Sequence, residues 1–541
     1  MTSKNIPSIF EEALVEQHQQ ESHHRFTLEL GLFIVFLFGS FMAGINNLGY
    51  NTLFLDEAIY AVAGEDFLQG IYSRNAPAFL FGSYLYPALS AVINNMGGVT
   101  GLRLASTLFM CLTSVFVYFT TRKLFGQKAS LFSMMLFAFS GVILNLGQLA
   151  VYDALALPFL AASLFLLVTA VTSEHHQKYL LLASSVCAIL ATLSKYIGLI
   201  YLPALCMTAL ALFWLRGTPV RQALSTLFFY FVLPILQALS LYVAFYWREL
   251  IQVFQGQGFS LAPRWLILKT IGQEMGFIML PALVGFVLLA TAVVYNRNRD
   301  LPPLFWNERP QLNWNTLSRS HRILFFTLAF LLLCTWLAAP LYHWGTANIR
   351  SLWKNCAYSL IFLSPLAGYC AATFVKSIRF RSHNLAINIL GMLCLCTGIV
   401  YFADKALDSN WSFHQSWPNT AGAITYLRDA GLNEDSRVLA EGMDVYEYYF
   451  DFGTNDRPVW NSFWYMEYAG VSGQEGALAA IRGRALDFII IEDYYFPGIR
   501  ERVSPLLAES GYVLGWQEQQ ELRTGEKILL QIFILSDGGA Q

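Results

Sequence analysis

Charge is what this sequence is short of. Only 13% of its 541 residues are Asp, Glu, Lys or Arg, against about 25% in soluble domains. The 34 basic and 36 acidic residues leave a net charge of -2, so the strongly basic face that a nucleic-acid partner requires is missing. No GxxxxGK[ST] segment occurs, which removes the phosphate loop of ATP-driven transport. There is no Asp-x-Asp triplet to hold a metal and a nucleotide together, and no HExxH. The eight cysteines (111, 187, 206, 334, 356, 370, 394 and 396) include no CxxC pair and sit almost entirely in apolar runs. Neither a disulfide framework nor a zinc site follows from them, and they read as small lipid-buried residues. Met1 to Arg25 is polar, without the short apolar core and cleavage site of a secretory signal, so the first apolar run is expected to be retained. His23-His24 in that tail reads as solvated rather than metal-binding.

What fills the chain instead is apolar: 56% hydrophobic residues and a mean hydropathy of +0.47. A helix needs about 20 apolar residues to cross a bilayer, and eleven runs approach that length. They are Leu28–Leu48, Leu102–Thr120, Ala129–Leu149, Ala154–Val171, Tyr179–Leu193, Ile197–Leu215, Ala223–Ala244, Gly276–Val294, Ile323–Leu341, Ala357–Phe374 and Leu385–Phe402. Every second connector is basic: Arg122-Lys123 with Lys128, Lys178, Arg216 with Arg221, Arg297 to Arg319, and Lys376 to Arg381. Basic loops face the cytoplasm, which puts the N-terminus (1–27) inside. The loop 49–101 and everything after Phe402 then lie outside. From 403 to 541 the charge density rises. Strand-like runs at Arg437–Ala440, Phe488–Ile491 and Ile528–Leu535 alternate there with helix-like stretches near 420–430, 476–482 and 499–509, the pattern of a small α/β domain. The fold class is mainly α: a polytopic transmembrane bundle over 28–402 with a C-terminal α/β extracytoplasmic domain.

Ionisable groups beside the hydrocarbon are costly and point to function. They collect on the expected outer face. Asp56 and Glu57 follow the first run, Asp153 opens the fourth, and Lys195 separates the fifth from the sixth. Arg103 starts the second, Arg74 lies in the long loop, and Arg350 with Lys354 precedes the tenth. Cations can hold a phosphate and a carboxylate can take a proton from an attacking hydroxyl. Against this stands a plainer reading, in which the Arg and Lys side chains snorkel to headgroups and Asp153 complements a helix start. A divalent metal on Asp56, Glu57 and Asp153 is the lesser alternative to a metal-free site. Trp411 and Trp417 read as interfacial anchors, Asn410-Trp411-Ser412 as a chance glycosylation sequon, and Glu492-Asp493-Tyr494-Tyr495-Phe496 as a polar strand end.

Four segments on that face carry a resemblance: Leu55-Asp56-Glu57-Ala58-Ile59-Tyr60, Gly101-Leu102-Arg103-Leu104-Ala105-Ser106, Tyr152-Asp153-Ala154-Leu155 and Leu193-Ser194-Lys195-Tyr196-Ile197-Gly198-Leu199. Their order and sidedness resemble the protein O-mannosyltransferase and aminoarabinose-transferase branch of the GT-C glycosyltransferases. The resemblance implies an integral membrane enzyme that moves a sugar, with inversion, from a polyprenyl-phosphate donor to an extracytoplasmic acceptor; the short basic loops, with no recognisable endoplasmic-reticulum retrieval tail, favour a bacterial inner membrane. By matching motif, Asp56 is the expected base, Glu57 its neighbour and Asp153 the second acid. Arg103 and Lys195 belong near the site; on physical grounds they are expected, with Arg74, Arg350 and Lys354, to hold the donor phosphate. Arg74-Asn75-Ala76-Pro77 departs from the family's Lys-Pro-Pro-like stretch. Two other classes remain: an oligosaccharide ligase or polymerase using a lipid-pyrophosphate donor, and an ion-coupled secondary transporter, although the related halves of a transporter are absent.

Overall fold

The computed structural model describes residues 9–71, 80–173, 175–255, 262–294, 319–381, 385–451 and 457–536. Helix α1 (Ile9–Ile45) enters the bundle. A short helix α2 (Leu55–Leu68) follows, then α3 (Leu85–Phe125), α4 (Gln127–Ala138), α5 (Gly141–Gly147), α6 (Tyr152–Thr172) and α7 (Gln177–Ser194). A 3-10 turn at Tyr196–Tyr201 leads to α8 (Leu202–Leu215) and α9 (Val220–Leu227), and a π turn leads to α10 (Leu233–Gln255). The bundle closes with α11 (Arg264–Val294), α12 (Arg319–Thr335), α13 (Ala338–Thr346), α14 (Leu352–Arg381) and α15 (Leu385–Phe413). Among the described residues nine helices are long and apolar enough to cross a membrane, ten if α4 and α5, bent by 63°, count as one span. The eleventh expected run lies within α15.

Helix α3 has 41 residues, roughly 60 Å at 1.5 Å per residue, about twice the hydrocarbon thickness. It is therefore two helices. Gly98 divides them with φ 57° and ψ -155°, a conformation open in practice only to glycine. The apolar run expected from Leu102 starts just past this break. The part before it, with α2, forms a helical layer where the sequence suggested one loop. Gly64 sets the contact between them, because a Cβ there would lie 1.9 Å from the Pro87 carbonyl oxygen.

The C-terminal region begins with α16 (Ala421–Asp429), β1 (Arg437–Ala440), α17 (Met443–Asp451) and β2 (Val459–Ser462). A small hairpin, β3 (Glu467–Tyr468) and β4 (Val471–Ser472), leads to α18 (Gly473–Arg482), β5 (Phe488–Ile491), α19 (Ile499–Glu509), β6 (Tyr512–Glu521) and β7 (Lys527–Leu535). The sheet order is β2-β1-β5-β7-β6; β1 pairs parallel with β2 and β5, whereas β7 runs antiparallel to β5 and β6. Strand β5, Phe488-Ile489-Ile490-Ile491, is buried along its whole length, as a central strand with covered faces should be.

This region sits on α2. Val445 and Tyr448 of α17 pack with Leu53, Ala58, Ala61 and Leu102. The Tyr448 hydroxyl donates to Asn94 Oδ1 at 2.6 Å, the Leu53 N–H donates to the Tyr449 hydroxyl, and Arg457 pairs with Asp66 at 2.9 Å. Trp417 is buried here and its indole N–H donates to the Thr52 carbonyl, so it is packing, not an interfacial anchor; Trp411 is exposed. Asn410 is buried too, donating to Asn145 and Gln148, which takes the sequon out of reach.

Candidate active site

The acidic pair at the start of α2 splits into two roles. Glu57 is the third residue of the helix, and its carboxylate reaches back to the Phe54 N–H at 2.8 Å, half of a capping box. Its side chain is buried, and each oxygen accepts two hydrogen bonds. Oε1 takes Arg103 Nε at 3.0 Å and the Ala150 N–H at 2.8 Å; Oε2 takes Phe54 and Arg103 Nη2. Arg103 is among the largest fully buried side chains of the described residues, and its remaining N–H groups meet the carbonyls of Leu48, Asn51 and Thr52 at 2.8 to 3.2 Å. Tyr50 covers the guanidinium face at 4.3 Å, and His414 stacks behind Tyr50. All five guanidinium donors are thus in use.

This corrects two sequence expectations. Arg103 cannot hold the donor phosphate, because it is sealed from solvent with no free N–H. Glu57 cannot take a substrate proton or hold a metal, because neither oxygen is open. Together they are a positioning pair: the fork ties α2, the 48–52 turn, α3 and the start of α6 into one unit, and so fixes the first turn of α2.

Asp56, one residue earlier, points the other way. Its side chain is 30% exposed, and it ion-pairs with Lys354 of α14, whose own side chain is buried. The Lys354 ammonium also lies over the Phe54 ring at 5.3 Å and the Trp353 ring at 5.7 Å. Asp153, in the first turn of α6, is fully buried and pairs with Lys195 at 2.5 Å; its second oxygen has no hydrogen-bond partner among the described residues. Lys195 stands in extended backbone (φ -151°) between α7 and the 3-10 turn, which is why its side chain turns inward. It lies over the Tyr152 and Tyr358 rings at 4.9 and 5.7 Å and donates to Asn355 Oδ1 at 2.7 Å. Asn355 Nδ2 meets His343 Nε2 at 2.8 Å, and His343 Nδ1 meets the Asn348 carbonyl at 2.6 Å.

Two carboxylate–ammonium pairs therefore lie side by side, joined through adjacent Lys354 and Asn355 on α14. Asp444 of α17 completes the wall: burial pushes its carboxyl up to about 7, with the Asp56 charge adding to the rise. Arg350 is exposed, with its N–H bonded to Asn348 Oδ1. Arg74 lies outside the described residues. Among the described residues no three His, Cys, Asp or Glu side chains gather as metal ligands, and Asp56, Glu57 and Asp153 each face a different cation. Sequence reasoning missed Asn355, His343 and Asp444. A polar residue following Lys354 on one face of an apolar helix was the one signal for Asn355; nothing in the chain order brings α17 to Asp56.

Residues 78–242, which contain Arg103, Asp153 and Lys195, match the profile of the dolichyl-phosphate-mannose-protein mannosyltransferase family. No curated protein sequence matches the chain. Solved structures align along nearly all of it. Apo ArnT from Cupriavidus metallidurans superposes with a TM-score of 0.55, at 12% identity, over 94% of this chain and 98% of that one. The same enzyme bound to undecaprenyl phosphate gives 0.54 at 11% identity and the same coverage. The oligosaccharyltransferase of Archaeoglobus fulgidus gives 0.54 at 12% identity, over 94% of this chain and 75% of that one. The chain thus has the fold that ArnT and the archaeal oligosaccharyltransferase share, and its segment 78–242 is similar to the dolichyl-phosphate-mannose-protein mannosyltransferase family.

Proposed function

We propose that the protein is a membrane glycosyltransferase that moves a sugar from a polyprenyl-phosphate donor to an extracytoplasmic acceptor with inversion at the anomeric carbon. The N-terminus is cytoplasmic in this reading, and the region after Phe402 lies outside, in a bacterial inner membrane. The observation that carries it is the Asp56–Lys354 pair, a half-open carboxylate against a buried ammonium. A donor phosphate entering this cleft competes with Asp56 for Lys354, and its arrival frees the carboxylate. Asp56 then accepts the proton of the acceptor nucleophile as that atom bonds to the anomeric carbon. The anomeric C–O bond breaks, its electron pair passes to the phosphate oxygen, and Lys354 balances the charge that develops there. Lys195, held by Asp153, adds its positive field from beneath. Phosphate is an adequate leaving group once neutralised, so no separate general acid is required.

The test is Asp56→Asn in the purified full-length enzyme with a polyprenyl-phosphate-linked sugar. Turnover is expected to fall by about 10²- to 10⁴-fold, the usual contribution of a general base, while undecaprenyl phosphate still binds. Full turnover by a folded variant would remove Asp56 from the role of base.

A further inference from the structure

Lys195 is held by a hydrogen-bond chain that runs in one direction only. The Asn348 carbonyl can only accept, so His343 Nδ1, 2.6 Å away, carries a proton. An ammonium can only donate, so the Asn355 atom 2.7 Å from Lys195 Nζ is the amide oxygen. Asn355 therefore presents its NH2 to His343 Nε2 at 2.8 Å, and that nitrogen must offer a lone pair. Every direction is set from the two ends, and the chain closes only with a neutral imidazole.

We propose that His343 and Asn355 are positioning residues for Lys195, and that protonation of His343 releases it. A proton on Nε2 would face the amide NH2. Turning the amide round to accept that proton would aim the NH2 at the Lys195 ammonium instead. Neither arrangement satisfies both ends, so an imidazolium costs Lys195 its second anchor and leaves it to Asp153 alone. Glu274 of α11 acts on Cys356, the residue after Asn355. Lys195 lies beyond Asn355, Tyr342 meets the ring edge-on at 5.2 Å, and Arg264 of α11 lies over the neighbouring Trp344. Lys354, paired with Asp56 of α2, precedes Asn355 on α14. Among the described residues no carboxylate is bonded to His343 to favour its charged form; Asn355 and the Asn348 carbonyl are the partners it has here.

The discriminating variant is Asn355→Asp. A carboxylate accepts from both sides, so it holds Lys195 and protonated His343 together. His343→Gln, which has no titrating ring, is the second variant should a buried carboxylate in place of the amide hinder folding. This experiment rests on the proposed donor site. The probe is undecaprenyl phosphate, whose dissociation constant is measured for the full chain in detergent from pH 8 down to 4, which spans the ordinary imidazole range with a margin below it. Acid is expected to weaken wild-type binding by about tenfold more than it weakens either variant, the value of one hydrogen bond to a charged group. Equal acid weakening in wild type and both variants would overturn the proposal; the shared titration of the phosphate itself cancels in that comparison. Failure of the wild type to bind the lipid at any pH would instead count against the donor reading. The lipid-free melting temperature then decides the chain: a wild-type loss in acid that His343→Gln lacks supports it, and parallel curves overturn it.

Discussion

Arg103→Lys separates a phosphate ligand from a structural fork. Arg103 uses five N–H groups, two on Glu57 and three on the carbonyls of Leu48, Asn51 and Thr52, all within 2.8 to 3.2 Å. Lysine keeps the charge but offers three N–H groups on a shorter reach, so at least two of the five buried hydrogen bonds are lost. Each costs about 1–3 kcal/mol, which places the loss at about 2–6 kcal/mol before any relaxation. The Glu57 charge remains paired, so the larger penalty of an isolated buried ion does not add. The assay is thermal unfolding of the detergent-purified protein with no lipid present, beside undecaprenyl phosphate binding. The expected result is a marked fall in melting temperature together with a fall in turnover, because the same fork fixes the helix turn that carries Asp56. An unchanged lipid-free melting temperature, with donor affinity alone reduced, would refute the fork and return Arg103 to the phosphate.

Lys354→Gln should weaken undecaprenyl phosphate binding by about tenfold or more, since it removes a charged hydrogen bond from a desolvated site; isothermal titration measures it, and unaltered affinity would place the phosphate elsewhere. Glu492 makes a pH prediction outside the membrane. It is fully buried beside Glu441, which accepts four backbone N–H groups from Glu492, Asp493, Tyr495 and Phe496, and it takes the Tyr446 hydroxyl at 2.7 Å. Burial first, and Glu441 second, push its carboxyl up to about 8 from 4.5. The folded state then binds the proton that the unfolded state has released, so this stability is present below about 4.5 and is lost as pH rises through about 8. Glu492→Gln should flatten that alkaline loss in melting scans across this range, and an identical slope in the variant would contradict it.

The sequence by itself determined the membrane class, because a chain so poor in charge and so rich in apolar runs of spanning length has few other places to fold. It also determined most helix positions and the C-terminal alternation, where Arg437–Ala440, Phe488–Ile491 and Ile499–Glu509 form as expected, since local periodicity carries that information. Asp56, Asp153, Lys195 and Lys354 were legible as ionisable residues at span ends, where burial is costly enough to imply a use. Pairing was not legible. The adjacent acids Asp56 and Glu57 look alike in the chain, yet a helix turns neighbouring residues through about 100°, and that rotation sends one to a buried arginine and the other to a half-open cleft. Only tertiary structure brings Lys354 to Asp56 and Asn355 to Lys195, across 298 and 160 residues. It also lays α17 over α2. Contacts so distant in sequence leave no trace in local pattern, and they decide which charged residue is sealed as scaffold and which is left open for chemistry.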